Sequence, residues 1–284
     1  MTSKILALVD GSVYSESVCH HTAWIAGRLK ASVDVMHVLG RREGAARQDL
    51  SGSLRLGARS ALLEELAAAD EQRARLAMTK GRAILEDAQQ ILQAENVGTV
   101  RAHLRKGDIL DAVRDVEPDL RAIVIGKRGE AADFAAGHLG SNLERIVRTS
   151  KVPVFVASRA FRPISKVLVA YDGSPSAMKA VERMSQSPVF RDLAVTLLYA
   201  GSDRVAMRDR LDDAVLTLSA AGLQTSARIV EGEPEDVLQS VVADAGHDLL
   251  VMGAYGHSRI RSLIIGSTTT AMVQAVQIPV LLYR

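Results

Sequence analysis

The chain carries the same succession of short segments twice. SKILALVDGS at residues 3–12 returns as SKVLVAYDGS at 165–174, VIGKRG at 124–129 returns as VMGAYG at 251–256, and KVPVFVAS at 151–158 returns as QIPVLLYR at 277–284. Three matches in one order define a tandem duplication, so the chain must fold as two similar units. Residue 3 matches residue 165, a shift of 162, whereas residue 124 matches residue 251, a shift of 127. The first copy therefore carries 35 extra residues, and they fall between Leu39 and Val97. A length of 284 residues leaves about 140 for each unit, within the usual domain range.

Each copy alternates short apolar runs with helical patterns, which predicts an α/β fold with a parallel sheet covered on both faces. Strands are expected near 4–9, 32–39, 99–105, 122–126 and 153–157, then at 166–171, 194–200, 226–230, 248–253 and 279–283. In the second copy helices are expected over 174–187, 204–221, 234–245 and 267–276. The expected architecture is two doubly wound, Rossmann-like five-stranded domains, 1–158 with a helical insertion near 40–96 and 164–284. That insertion is rich in Ala, Leu, Glu, Arg and Gln and predicts one long helix, or two interrupted at Gly81, with an apolar stripe through Leu62, Leu66, Ala69, Leu76, Ile84 and Ile91. It reads as a longer copy of the helix after the second strand, or as a helix facing a partner.

Composition narrows the function. Net charge is +2 with Lys and Arg scattered among the acids, so no basic block predicts a nucleic-acid surface. Cys19 is the single cysteine, which rules out an intrachain disulfide and a cysteine-based zinc site and suits a reducing cytoplasm. Cys19, His20 and His21 are consecutive on a predicted helix and point in different directions, a poor metal site. No apolar run approaches the roughly 20 residues that span a bilayer, and the N-terminus does not read as a signal peptide. The G-x-x-x-x-G-K-[ST] and G-x-G-x-x-G phosphate loops and the G-x-S-x-G elbow are all absent.

What remains is the stretch VMGAYGHSRIRSLIIGSTTT at 251–270. A buried strand ends in Gly253 and Gly256, nine residues follow, and a helix opens at Gly266-Ser267. Backbone N–H groups at such a helix start, with the helix dipole behind them, suit an anion, phosphate above all. The alternative needs no ligand: glycine for turn geometry and Ser267 as a helix cap.

The G-x-x-G, nine-residue gap and G-S pattern resembles the ATP-binding branch of the universal stress protein family. The resemblance includes Asp172-Gly173-Ser174 after the first strand of the second copy, Gly232 and Pro234 before a helix, and Pro279-Val280 opening the last strand. It covers essentially the whole chain, twice. It implies an adenine-nucleotide α-hydrolase-like fold and a bound ATP, ADP or AMP, with magnesium bridging the phosphates. By the same resemblance Asp172, with the neighbouring Ala170 and Tyr171, and the backbone at Ala200 would hold the adenine, and Met252 would flank the ring or sugar. Gly253 and Gly256 would approach the ribose and first phosphate, and Gly266, Ser267 and Thr268 the outer phosphates, with His257 and Arg259 adding charge.

The first copy departs from this pattern. Gly126 and Gly129 are in place, but ten residues, with Glu130 and Asp133 among them, precede Gly140-Ser141, and Asn142 replaces the Thr268 hydroxyl. Asp10 and Val38 stand at the adenine positions of a weaker second site. The expected function is nucleotide binding in stress response or signalling, with an unidentified protein partner and at most slow ATP hydrolysis. Alternatives are a ligand-free scaffold, an adenylate-forming enzyme and a flavoprotein-like domain. The apolar last strand of each copy opens with Pro, and an exposed edge of that kind invites pairing; the resemblance implies that these strands pair between the copies, an intrachain pseudo-dimer, with a homodimer as a further assembly.

Overall fold

The computed structural model describes residues 3–40, 56–129, 140–253 and 267–284, with the backbone alone for 56–63, 267 and 268. The first copy runs β1 (Lys4–Leu8), α1 (Ser15–Leu29), β2 (Ser32–Leu39), α2 (Leu56–Ala94), β3 (Val100–Lys106), α3 (Ile109–Val116), β4 (Leu120–Gly126), α4 (Ser141–Thr149) and β5 (Val154–Ala157). The second runs β6 (Lys166–Ala170), α5 (Pro175–Ser185), β7 (Ala194–Ala200), α6 (Val205–Ala220), β8 (Gln224–Val230), α7 (Pro234–Ala245), β9 (Leu249–Gly253), α8 (Ser267–Ala275) and β10 (Val280–Tyr283). A 3-10 turn, Pro188–Phe190, follows α5.

The ten strands form one sheet in the order β3-β2-β1-β4-β5-β10-β9-β6-β7-β8. All neighbours are parallel except β5 and β10, which meet antiparallel with Leu281 opposite Phe155. Two parallel five-stranded halves are thus fused edge to edge, so each apolar last strand is interior rather than exposed. Closing both edges removes the unpaired N–H and C=O groups that would otherwise template association. The outermost strands are different in kind: β3 and β8 are largely exposed and carry Arg101, Arg105, Lys106 and Arg228.

Helices cover both faces. One core gathers α1, α2, α5 and α6 around Phe155, Val169, Phe190 and Leu197, and the other gathers α3, α4, α7 and α8 around Ile123, Val156, Leu250 and Met272. None of the described helices is long and apolar enough to cross a membrane.

Among the described residues of the insertion there is a single helix, α2, that passes through Gly81 without interruption. The reason is spatial: a Cβ at Gly81 would lie 2.8 Å from Leu104 Cδ1 and 2.9 Å from His37 Cδ2, so the glycine lets the helix seat on β2 and β3. The expected stripe is displaced as well. Gly81, Leu85, Ala88 and Leu92 form the buried seam, Ile84 and Ile91 flank it, and Leu76 is 62% exposed.

Candidate functional site

Within each half the chain order reverses between the first and fourth strands, β1 and β4 in one and β6 and β9 in the other. In open parallel sheets the C-terminal ends at such a reversal frame a crevice. In the first half that crevice is a cavity of about 550 Å³, large enough for a nucleotide-sized ligand. Asp10, Val38, Gly126, Gly129, Gly140, Ser141 and Asn142, which the sequence places at the weaker site, all line it.

The local chemistry explains why each sits there. Asp10 leaves β1 in the D-G-S turn, where its Oδ1 accepts the Ser12 N–H at 3.0 Å and the Ser15 hydroxyl at 3.3 Å. Gly11 is at φ +77°, a conformation that favours glycine. The second half repeats the device, with Asp172 Oδ1 accepting the Ser174 N–H at 2.9 Å and Gly173 at φ +71°. Each aspartate therefore holds its turn open at the strand end.

The glycines of the first motif have a packing reason of their own. A Cβ at Gly126 would stand 2.7 Å from Tyr14 Cβ, and one at Gly129 would stand 2.9 Å from Asp10 Oδ2. Gly253, ending β9, would meet Ser176 Oγ at 2.9 Å in the same way. Close approach of the next segment to the strand end requires glycine at these positions with or without a ligand.

Across the crevice, α4 begins at Gly140, whose N–H bonds to Lys127 O at 3.2 Å, and among the described residues no side chain caps the helix. Its first residues line the cavity, and a helix start there favours an anion. Of the two cations in the motif, Arg128 lines the cavity. Lys127 turns away and donates to Val276 O at the end of α8 in the other half, where burial, with help from Arg128, pulls its ammonium down to about 8.

Sequence reasoning missed Tyr14, Ser15 and His37. His37 is buried, its Nδ1 2.8 Å from Val9 O, and it could have been found as the neighbour of Val38. Arg128 lay inside the quoted VIGKRG motif.

The second half brings Ala170, Ala200 and Gly253 to the ends of β6, β7 and β9. Tyr171 follows β6, but its ring is packed in the core with its hydroxyl 3.3 Å from Arg210 O, and Met252 is likewise buried. Ser267 and Thr268 open α8, and their side chains lie outside the described residues, as do Gly256, His257, Arg259 and Gly266.

Comparison with known proteins adds the following. The model of the universal stress protein family matches residues 1–158 and again 163–284. Universal stress protein Slr1230 of Synechocystis sp. is 36% identical over 286 residues, covering 99% of both chains. Universal stress protein Rv1996 of Mycobacterium tuberculosis is 26% identical over 228 residues, 71% of this chain and 72% of that one. The crystal structure of a universal stress protein from Archaeoglobus fulgidus superposes with a TM-score of 0.72 at 19% identity, covering 98% of this chain and 95% of that chain.

Proposed function

Because the chain belongs to the universal stress protein family along both of its copies, we propose that it binds an adenine nucleotide, ATP, ADP or AMP, mainly in the second copy. It acts in the cytoplasm in stress response or signalling, passing its state to a protein partner. Magnesium, when present, bridges the phosphates. The observation that carries this reading is the first-half cavity, with a turn-held aspartate at one wall and the uncapped start of α4 at the other. The preference for the second copy rests on its sequence, where the motif keeps the nine-residue spacing, together with β6, β7 and β9 ending at Ala170, Ala200 and Gly253.

Asp10 Oδ1 is engaged by Ser12 and Ser15 within its own turn, an arrangement that suits positioning the strand end rather than activating water. The experiment is calorimetric titration with ATP, ADP and AMP on the unmodified chain and on Gly266→Asp and Gly140→Asp variants. A carboxylate at either helix start would take up the N–H groups and repel phosphate, weakening that site by about tenfold or more. Gly140→Asp should leave the melting temperature level or raised, since a Cβ there meets no described atom closer than 3.5 Å and aspartate is a preferred cap. No heat with any of the three nucleotides would leave the ligand-free scaffold as the reading.

A further inference from the structure

A second cavity, of about 500 Å³, lies at the seam where the halves join, on the face covered by α1 and α5. Its floor is apolar: Ile25, Phe155, Val189, Phe190 and Leu281 are buried beneath it, with the Tyr283 ring beside them. The lining contains Arg121, Lys151, Arg183 and Arg284 and, among the described residues, no Asp or Glu. Arg121, Lys151 and Arg183 are exposed at their outer ends. Arg183 and Tyr283 line the same cavity.

The walls are fixed before any ligand arrives. Arg28 lies over the Trp24 ring at 5.0 Å and donates to Val189 O at 3.1 Å and Arg191 O at 2.7 Å, tying α1 to the segment after α5. The opposite end of the seam is furnished differently. There the segment joining the halves sets Phe161 against His20 and His21, with centroids 5.9 and 5.0 Å apart.

An apolar floor with cations and no acids at its rim selects for one kind of molecule. We propose that this cavity binds a small amphipathic anion, an alkyl chain lying on the Phe155–Leu281 floor with a carboxylate or phosphate head at Arg121, Lys151 and Arg183. Arginine presents paired N–H groups to either head, so the shared chemistry is a planar or tetrahedral oxyanion on a saturated tail. Cavities between structural units are frequent sites for such ligands. The site is remote in kind from the nucleotide crevice: it uses none of the strand-end turns or motif glycines and stands whether or not nucleotide binds.

Trp24 is the sole tryptophan and lines this cavity, so its emission reports occupancy directly. Dodecanoate and dodecyl phosphate, titrated below their micellar concentrations, should each change that emission saturably, and the tighter of the two names the head group. Dodecanol, which has the tail without the charge, should bind about tenfold more weakly or worse, as should dodecanoate to an Arg121→Glu/Arg183→Glu variant with unaltered melting temperature. Adding ATP should leave the dodecanoate curve in place. Three results would each overturn the proposal: no saturable response to either anion, equal binding of dodecanol and of the charge-reversed variant, or displacement of dodecanoate by ATP.

Discussion

His21 is fully buried between Phe155 and Phe161, with its Nδ1 2.7 Å from Ser17 O and, among the described residues, no partner for Nε2. The bond to a carbonyl fixes the proton on Nδ1 and leaves the ring neutral. Burial, reinforced by His20 and only partly offset by the Ser17 carbonyl, lowers its pKa to about 4. A base whose folded pKa lies below its unfolded value near 6.5 contributes full stability above that value and loses it as pH falls towards 4. The shift amounts to about 3 kcal/mol. Melting temperatures at pH 7 and pH 4.5 should therefore diverge in the unmodified chain and draw together in His21→Leu; equal divergence in both would assign the acid sensitivity elsewhere. Cys19, two positions before, is likewise buried, and burial with the nearby Glu16 charge pushes its thiol up to about 12. Iodoacetamide at neutral pH should leave it unlabelled in the native protein and label it fully in denaturant, as mass spectrometry would report. The sequence made Cys19, His20 and His21 an unpromising metal set, but it could not say which was interior. Helical periodicity orients a side chain only relative to its own axis, whereas burial here is decided by Phe155 and Phe161 from distant segments.

At the scale of elements, α2 separates what pattern can reveal from what packing decides. Its existence was plain from composition, yet a mid-helix glycine costs about 1 kcal/mol relative to alanine and suggested an interruption at Gly81. In the fold that glycine packs directly against His37 of β2 and Leu104 of β3. Gly81→Val should accordingly destabilise the protein by roughly 1–3 kcal/mol through overpacking against Leu104 and His37, measured by urea unfolding. Leu76→Lys, on the exposed face of the same helix, should change stability by no more than about 0.5 kcal/mol. The reverse ranking would mean that α2 is seated by another face. The β5–β10 pair was legible for a different reason: an apolar, Pro-initiated edge strand invites pairing, and the family resemblance implied that the partner is the last strand of the other copy. Leu281→Asp puts an unpaired charge at that join, opposite Phe155, and should cost roughly 3–5 kcal/mol; an unchanged unfolding midpoint would argue against the continuous sheet.

For the whole molecule, the duplication read from three short matches becomes a ten-stranded sheet with two strand-order reversals and hence two crevices. The first-copy residues named from the motif gather around one cavity because strand ends, not sequence neighbours, build such a site. His37 was within reach of the sequence as the neighbour of Val38, whereas Tyr14 and the alternative packing reason for Gly126 and Gly129 were not legible, since they depend on how the segments after the strands come together. The most direct test of the functional account is to denature freshly purified protein and identify any released nucleotide by chromatography and mass spectrometry, alongside Gly266→Asp. The account predicts adenine nucleotide near one equivalent per chain, lost in the variant, while a second equivalent that survives the substitution would place occupancy in the first crevice as well. Protein that releases no nucleotide and takes up none from added ATP would contradict it.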